Sequence, residues 1–321
     1  MKTNSRFHQV LFGVSLAWLA WSSAQAQGVA EVYSTNEGSQ TISVIDATRN
    51  EVVQTLTDVG KPRGLTLCPG GHTLYVTDQQ GQQLLVIDTG SRRVITHVAV
   101  GGSPEAVYCS PKGDLVAVAN EEDNSVSFIA TSGLYEAFTI RVQHKNPEHA
   151  VFSPDGRHVL VSAEESDHVD VLDLQTRKQV ASIPVGLRPR GIAFTPDGQR
   201  AFVAVEADNR LVVIDMITRK VTHRLQVGMR TNGLVMHPNG RVLFASNGGD
   251  ANVAVIDAQS LQVLAKVPVG QRPWNMSVNP EGTRLYVACG RSHAVSVVDA
   301  VNFQALQDIP VGRLPWGTAA N

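Results

Sequence analysis

Seven residues that carry a charge, an amide or an indole ring recur along this chain at intervals of 42 or 43 residues. They are Arg63, Glu105, Glu148, Arg190, Asn232, Trp274 and Trp316. Brought together around one axis, such groups can bind a polar or aromatic ligand, or an exposed group of a protein partner. The alternative is that the charges neutralise one another around a water-filled channel, while the tryptophans pack on neighbouring repeats or anchor the last strand.

His149 directly follows one of these positions, and we add it to this candidate binding set. Together with His144, His168 and Glu148 it has the side-chain types that bind zinc, but their spacing matches no standard ligand set. The sequence also lacks a G-x-S-x-G elbow, an H-E-x-x-H motif and a phosphate-binding glycine loop. We therefore predict no catalytic residue, no metal and no cofactor.

A second candidate set is an acidic sector contributed by three consecutive repeats. It consists of Glu121, Glu122, Glu164, Glu165 and Glu206. Such a sector can steer a basic partner, such as a small cytochrome, toward the protein. The alternative is a solvated run of surface charge, since these loops contain no D-x-D-x-D-G calcium motif.

The interval between the candidate residues is the period of the whole chain. A Pro-x-Gly turn recurs with spacings of 42, 43, 42, 42 and 42 residues; proline presets φ for a turn and glycine accepts a positive φ. Its prolines are Pro69, Pro111, Pro154, Pro196, Pro238 and Pro280. With the same period an acid closes a β-rich run, except at Ala130, and a V-G-x-x-P phrase recurs, with Thr231 once replacing its proline.

Each repeat contains four short runs rich in Val, Ile, Leu, Thr and aromatic residues, which is typical of strands. In the second repeat we predict strands at residues 64–67, 73–77, 83–87 and 94–100. Four strands in about 42 residues, repeated in series, indicate a β-propeller blade. We predict an all-β, seven-bladed β-propeller of four-stranded blades.

The phase of the repeats predicts how the ring closes. Residues 29–35 align with the second strand of a repeat, whereas residues 316–321 align with a first strand. Blade 1 should therefore combine residues 29–59 with residues 315–321, and blades 2–7 should follow in steps of about 42 residues from 63 to 311. Because propeller strands alternate in direction, the V-G-x-x-P loops and both candidate sets share one face, where we expect any site.

The first 26 residues predict a secretory signal peptide. Lys2 and Arg6 form a basic start, residues 10–21 form an apolar run, and Ala24 and Ala26 form a small-x-small cleavage signal. The alternative is an uncleaved membrane anchor, although this run is short for a bilayer span. We expect residues 27–321 to form one periplasmic domain, a monomer that does not insert into the membrane. With 27 basic and 29 acidic residues, the net charge of −2 does not indicate nucleic-acid binding.

Three cysteines, Cys68, Cys109 and Cys289, occur at wide spacings. An odd count of this kind does not indicate a disulfide framework, although the periplasm permits one. Cys68 and Cys109 lie on neighbouring repeats, so a bridge between these two stays open. Cys289 replaces the Asn or Asp that ends the second strand in most other repeats, either as a small filler or as a reactive thiol.

Residues 32–56 and 74–114 resemble the YVTN-type β-propeller repeat, and the resemblance extends over essentially the whole chain after residue 26. The layout is most similar to periplasmic seven-repeat propellers associated with PQQ-dependent alcohol catabolism, which are encoded beside quinoprotein dehydrogenases. The resemblance implies an accessory or binding role in alcohol oxidation, and it does not imply that this chain holds PQQ. Departures from the repeat are Ala130, Ala163, Val205, Thr231 and Cys289.

From the sequence we therefore predict a non-catalytic binding or scaffold protein of the periplasm. Its expected partner is a periplasmic dehydrogenase or cytochrome, or a small molecule, and not a nucleic acid. The alternative is a propeller enzyme, lactonase-like or quinone-dependent, with its site at the channel mouth. That alternative rests on analogy between folds.

Overall fold

The chain forms a seven-bladed β-propeller. The computed structural model describes Met1 and residues 30–321, and within them it contains 28 strands in seven four-stranded antiparallel sheets. This confirms the predicted fold class, the number of blades and the number of strands in each blade. The predicted signal peptide lies outside the described residues, apart from Met1.

Each sheet is one blade, and its strands run in order from the central axis to the rim. Blade 1 consists of β28 (Pro315–Ala320), β1 (Glu31–Asn36), β2 (Thr41–Asp46) and β3 (Glu51–Leu56). Blade 2 consists of β4 (Pro62–Leu67), β5 (Thr73–Asp78), β6 (Gln83–Asp88) and β7 (Arg93–Ala99). Blade 3 consists of β8 (Pro104–Cys109), β9 (Leu115–Asn120), β10 (Ser125–Ala130) and β11 (Tyr135–Arg141).

The remaining four blades follow the same order. Blade 4 consists of β12 (Pro147–Phe152), β13 (His158–Ala163), β14 (His168–Asp173) and β15 (Lys178–Pro184). Blade 5 consists of β16 (Pro189–Phe194), β17 (Arg200–Val205), β18 (Arg210–Asp215) and β19 (Lys220–Leu225). Blade 6 consists of β20 (Thr231–Met236), β21 (Val242–Asn247), β22 (Asn252–Asp257) and β23 (Val263–Pro268). Blade 7 consists of β24 (Pro273–Val278), β25 (Arg284–Cys289), β26 (Ala294–Asp299) and β27 (Gln304–Pro310).

The second repeat shows how closely the strands follow the turn chemistry. Its three outer strands lie within one residue of the predicted bounds, whereas the inner strand begins two residues early. The reason is that Pro62 already pairs with Asp78, before a register shift, and regular pairing resumes at Leu65. A 3₁₀ turn at Glu164–Ser166 lies between the second and third strands of blade 4. No helix in the described part of the chain is long and apolar enough to cross a membrane.

The hydrophobic core is divided into seven clusters, each of which lies between two neighbouring blades. The two middle strands of a blade are buried on both faces, because a neighbouring blade covers each side of the sheet. In β17, for example, every residue from Ala201 to Val205 is buried. A single four-stranded sheet would leave both faces exposed, so it is the ring that makes these sequences fold.

The inner strands form a closed ring, in the order β4, β8, β12, β16, β20, β24, β28 and back to β4. The last member comes from the end of the chain. β28 pairs antiparallel with β1, with Val32 opposite Ala320 and Tyr33 opposite Ala319. This confirms the predicted closure of the ring and covers a sheet edge that would otherwise be exposed.

A disulfide joins Cys68 to Cys109, whose Cα atoms are 5.3 Å apart. Cys68 follows β4 and Cys109 ends β8, so the bridge connects the inner strands of blades 2 and 3 on the face of the Pro-x-Gly turns. The pairing that the sequence left open is therefore present. The third cysteine, Cys289, is buried, and burial raises the pKa of its thiol to about 11, which favours the role of a small filler.

Candidate functional site

The V-G-x-x-P end of the central channel contains a cavity of about 230 Å³. All eight residues of the candidate binding set line it, and every blade contributes at least one of them. Further side chains complete its wall: Glu121, Glu164, Arg188, Arg272 and Asn275. The 42-residue period thus gathers residues from the whole chain at one place.

The inner strands direct these side chains toward the axis. Most inner strands begin at the proline of the V-G-x-x-P phrase, and the residue after this proline points into the cavity. The residue after that packs on the backbone of the following blade and has little room. A Cβ added to Gly64 would lie 2.5 Å from the carbonyl oxygen of Glu105, and one added to Gly191 would lie 2.6 Å from that of Asn232.

His149 occupies this crowded position in blade 4, where blade 7 has Asn275 and the other five blades have glycine or alanine. Its ring extends into the cavity, and its Nδ1 lies 2.7 Å from the hydroxyl of Tyr108 in blade 3. The ring also stacks on Trp316, with ring centres 6.3 Å apart. Burial, and then the positive charge of Arg190, lowers the pKa of His149 to about 3, so the imidazole is neutral at physiological pH.

Arg190 is the centre of an ion-pair network on one side of the cavity. Its guanidinium contacts Glu148, lies 2.8 Å from Glu164 and lies 3.0 Å from Glu206. On the neighbouring blades 2 and 3 Arg63 contacts Glu105. Buried pairs of this kind stabilise the fold only when their geometry is good, and removing one partner is costly because the other charge stays buried.

Glu206 accepts hydrogen bonds from three arginines and is only 2% exposed. Burial opposes its ionisation, but Arg190, Arg272 and Arg230 outweigh that effect and hold the pKa of Glu206 below its usual value. This carboxylate is therefore charged and satisfied within the protein. It fixes the positions of three guanidinium groups around the cavity.

The acidic sector predicted from the sequence does not form one exposed surface. Glu122 and Glu165 are exposed and Glu121 is half-buried, as a docking surface requires. Glu164 and Glu206, in contrast, are buried and paired with arginines. Glu164 lines the cavity and Glu206 holds the arginines beside it, so neither buried carboxylate can touch a docked protein directly.

Glu164 and Glu148 form a carboxyl–carboxyl contact beside Arg190. Burial raises the pKa of Glu164 to about 7, and a hydrogen bond and like charge from Glu148 act in the same direction. Two carboxylates this close share a proton or require a cation between them. Arg188 and Arg190 supply part of that positive charge.

Several buried polar atoms of the wall lack a hydrogen-bond partner among the described residues. Two of them are donors on blade 7, the Nη1 of Arg272 and the Nε1 of Trp274. The guanidinium of Arg272 lies over the indole of Trp274, 5.6 Å from the ring centre, and so holds the two donors together. On the opposite side of the ring the Oε2 of Glu105 is an acceptor without a partner. Unpaired buried groups are costly, which favours a bound molecule or water at these points.

Next to the charged mouth, the channel contains a second space of about 250 Å³. Trp316 and Asn275 line both spaces. The lower wall is mainly apolar, with Leu65, Val107 and Met276 among its side chains. The lower space therefore differs from the mouth in having no charged side chain in its lining.

The three histidines considered for zinc do not come together. His144 and His168 stack with ring centres 4.2 Å apart, and His144 lies 2.7 Å from Asp170 on the outside of the cavity wall. His149 and Glu148 instead line the cavity. The side chains considered for zinc are therefore divided between two places in blade 4 and its loops.

The sequence analysis overlooked three arginines that pair with Glu164 and Glu206, two of which line the cavity. Arg188, Arg230 and Arg272 occupy the same position in three consecutive repeats, 42 residues apart and directly before the V-G-x-x-P proline position. All three have a left-handed backbone, with φ of 58°, 54° and 56°. A positive φ is unusual for arginine. The signal was therefore present in the sequence as a periodic arginine, and only the structure shows that these side chains converge on Glu164 and Glu206.

Comparisons with known proteins agree with this architecture. A family model for the seven-bladed β-propeller lactonases matches residues 32–304. A search of curated proteins gives no significant match. Among solved structures, a chain of Kuenenia stuttgartiensis hydrazine synthase is similar, with 23% identity and a TM-score of 0.73 over 82% of this chain and 90% of that chain. A functionally unknown protein from Desulfotomaculum acetoxidans is similar with 15% identity and a TM-score of 0.81 over 90% of this chain and 98% of that chain. At these identities the two structures share the fold.

Proposed function

We propose, since the chain belongs to the family of seven-bladed β-propeller lactonases, that it binds a small oxygen-rich organic molecule in the cavity at the channel mouth. The observation that carries the proposal is the pair of unpartnered donors on blade 7, the Nη1 of Arg272 and the Nε1 of Trp274. A carboxylate or lactone carbonyl of the ligand would accept from both. The apolar space below would hold the rest of the molecule.

We place this binding in the periplasm, in an accessory role beside an alcohol-oxidising dehydrogenase or its cytochrome. The signal-peptide pattern of the first 26 residues supports the location, and the YVTN-type repeat supports the role. In this view the ligand is an intermediate or product of alcohol oxidation, such as a carboxylic acid or a lactone. The protein would hold that molecule without consuming it.

Thermal unfolding in the presence of candidate ligands tests the binding role. Glucono-δ-lactone, gluconate, a short alcohol, PQQ and a soluble cytochrome are added separately to the protein. Binding to the folded state stabilises it by about 2.7 kcal/mol when the ligand is present at a hundred times its dissociation constant. We expect a rise in melting temperature with the lactone or the acid.

Two variants make that experiment specific. Trp274→Phe keeps the ring and removes the Nε1 donor, so it should abolish most of the ligand-induced rise. Glu122→Gln changes an exposed acid outside the cavity wall and should keep it. An equal rise in Trp274→Phe would refute the site, whereas a rise with the cytochrome that salt removes would favour docking through Glu122 and Glu165.

A second candidate function is hydrolysis of a bound lactone, and the place of His149 in the cavity wall favours it, although a pKa of about 3 makes the imidazole a weak general base. The Nε2 of this ring accepts no hydrogen bond from the described residues and is available to take a proton from water. The resulting hydroxide would attack the lactone carbonyl while Arg272 and Trp274 donate to the carbonyl oxygen. The ring C–O bond would then break, and His149 would return the proton to the departing alkoxide to give a hydroxy acid.

Acid release from a lactone, followed in a pH-stat, separates the two functions. If the chain is an enzyme, His149→Ala should lower the rate by roughly a hundredfold or more, because general-base catalysis contributes that much. The fold should tolerate this alanine, because blade 3 has an alanine, Ala106, at the equivalent position. Ligand-induced stabilisation without acid release would support binding and would contradict hydrolysis.

A further inference from the structure

Four glutamates from blades 3 and 4 meet on one side of the cavity, and three of them have an oxygen without a partner. Glu105 directs only its Oε1 to Arg63 and Gln79, and its Oε2 is buried and unpaired. Glu121 accepts from Ser103 through Oε2 alone, and Glu148 accepts from Arg190 through Oε1 alone. Within the described residues, no N–H or hydroxyl group donates to the second oxygen of any of the three, and the carboxyl group of Glu148 contacts that of Glu164.

The geometry of these carboxylates fits a cation. One oxygen each from Glu121, Glu148 and Glu164 lies within 4.8 Å of the other two. Ca²⁺ binds oxygen at about 2.3–2.6 Å, so two of its ligands can be as far apart as roughly 5 Å. The three oxygens can therefore reach one Ca²⁺ ion without a rearrangement of the backbone.

The balance of charges on this side of the cavity also favours a cation. Arg63, Arg188 and Arg190 pair with Glu105, Glu148 and Glu164. Glu121 lies within ion-pair distance of no arginine or lysine in the part of the chain that the structure describes. The side therefore has one carboxylate more than it has guanidinium groups, and Arg190 is shared further with Glu206.

Glu105 gives evidence for a bound cation that does not depend on the cluster of Glu121, Glu148 and Glu164. Its side chain is fully buried at the wall of the same cavity, where a carboxyl oxygen without a partner is costly. Neither the ring closure nor the packing of blades 2 and 3 needs a carboxylate here, because Asn232 and Trp274 occupy the same position in other blades. A cation bound beside it would satisfy this oxygen.

We propose that Glu121, Glu148 and Glu164, with Glu105 beside them, bind a divalent cation of the Ca²⁺ type at the channel mouth. The site uses loops after the second strands of blades 3 and 4 together with the inner strands of the same blades, and it has no calcium-loop motif in the sequence. Bound there, the ion would add positive charge opposite the donors of blade 7. An anionic ligand would then lie between two electropositive sides.

Terbium luminescence tests the site directly. The full chain is freed of metal with EDTA, dialysed and titrated with Tb³⁺, a luminescent substitute for Ca²⁺, while tryptophan is excited. Trp274 and Trp316 line the cavity and are placed to transfer energy to the ion. We expect saturable terbium emission that Ca²⁺ displaces and that Mg²⁺ displaces less well, because Mg²⁺ demands shorter, octahedral coordination.

Matched neighbours provide the controls. Glu121→Gln should weaken Tb³⁺ and Ca²⁺ binding at least tenfold. Glu105→Gln keeps an oxygen that can accept from Arg63 and Gln79 but loses the charge, and it should weaken binding of both ions as well. Glu122→Gln, one residue away and exposed, should bind as the wild type does. Circular dichroism checks that each variant is folded, and calorimetric titration with Ca²⁺ repeats the measurement without terbium. Absence of saturable binding in both assays, or equal binding by Glu121→Gln, overturns the proposal without affecting the test of organic ligands.

Discussion

At the scale of the residue, departures from the repeat identify side chains that the fold does not require. The residue after each channel-facing position is glycine in four blades and alanine in a fifth. It is small because the next blade's backbone lies against it, as Gly64 and Gly233 show. His149 and Asn275 are the two exceptions, and both line the cavity. A side chain kept at a crowded position against the repeat is more informative than one of the many charges on the same face.

We predict that His149 makes the folded state sensitive to acid. Its pKa falls from 6.5 when unfolded to about 3 when folded. Between these values the unfolded chain binds a proton that the folded chain does not, so stability is full above pH 6.5 and declines as the pH falls toward 3. From pH 7 to pH 5 the loss should be roughly 2 kcal/mol, at about 1.4 kcal/mol for each pH unit below 6.5.

The measurement compares urea unfolding of the wild type and His149→Ala at the two pH values. The comparison between variants is needed because Glu164, with its pKa raised to about 7, acts in the opposite direction and loses its contribution as the pH rises. Relative to His149→Ala, the wild type should be less stable at pH 5 than at pH 7. Parallel pH curves for the two proteins would show that the imidazole is not held neutral by burial.

At the scale of the element, the closing aspartate fixes the turn between the third and fourth strands. In blade 5 the Oδ1 of Asp215 accepts the backbone N–H of Thr218 at 2.7 Å and the Thr218 hydroxyl at 2.8 Å. The same arrangement holds Asp173 to Thr176 and Asp257 to Ser260. This side-chain-to-backbone bond is why the acid recurs with the period of the blade.

Blade 3 lacks this bond, and restoring it should stabilise the protein. Ala130 ends β10 and its side chain cannot accept a hydrogen bond. Ala130→Asp should raise the free energy of unfolding by up to about 1 kcal/mol, and Asp215→Ala should lower it by a similar amount, since one such bond contributes that much. Denaturant unfolding of both variants checks the prediction. A loss of stability in Ala130→Asp would contradict the prediction and would mean that the buried position of Ala130 does not accept a carboxylate.

Turn chemistry also decided how much of each element was predictable. Pro-x-Gly turns and closing acids are local, and they located the strands of the second repeat to within two residues of Pro62–Leu67 and Arg93–Ala99. The ion pairs were not predictable, because the period states which residues share the channel and not which carboxylate each guanidinium selects. Glu164 and Glu206 were read as surface acids, since the sequence does not show that both are buried against arginines.

At the scale of the whole molecule, stability depends on a closed ring in which every blade packs on two neighbours. Each hydrophobic cluster joins two blades, and the cluster between blades 7 and 1 depends on the meeting of the two ends of the ring. The phase of the repeats predicted this meeting, because it is a property of where the repeats begin and end. The disulfide between Cys68 and Cys109 was not predictable in this way, since it depends on a distance of 5.3 Å between Cα atoms of adjacent blades.

Removal of the last strand should therefore destabilise every blade. A chain that ends at Arg313 loses β28, which pairs with β1 and also contacts β4 and β24 on either side. It exposes the edge of β1 and opens the ring, so we expect a melting temperature at least about 10 °C lower, which corresponds to a loss of a few kcal/mol for a domain of this size. Trp316→Phe keeps the strand and removes only the indole, and it separates loss of closure from loss of one cavity side chain. If the shortened chain melts at the wild-type temperature, the pairing of the two ends contributes nothing to the fold, and a cavity built from all seven blades has no rigid frame.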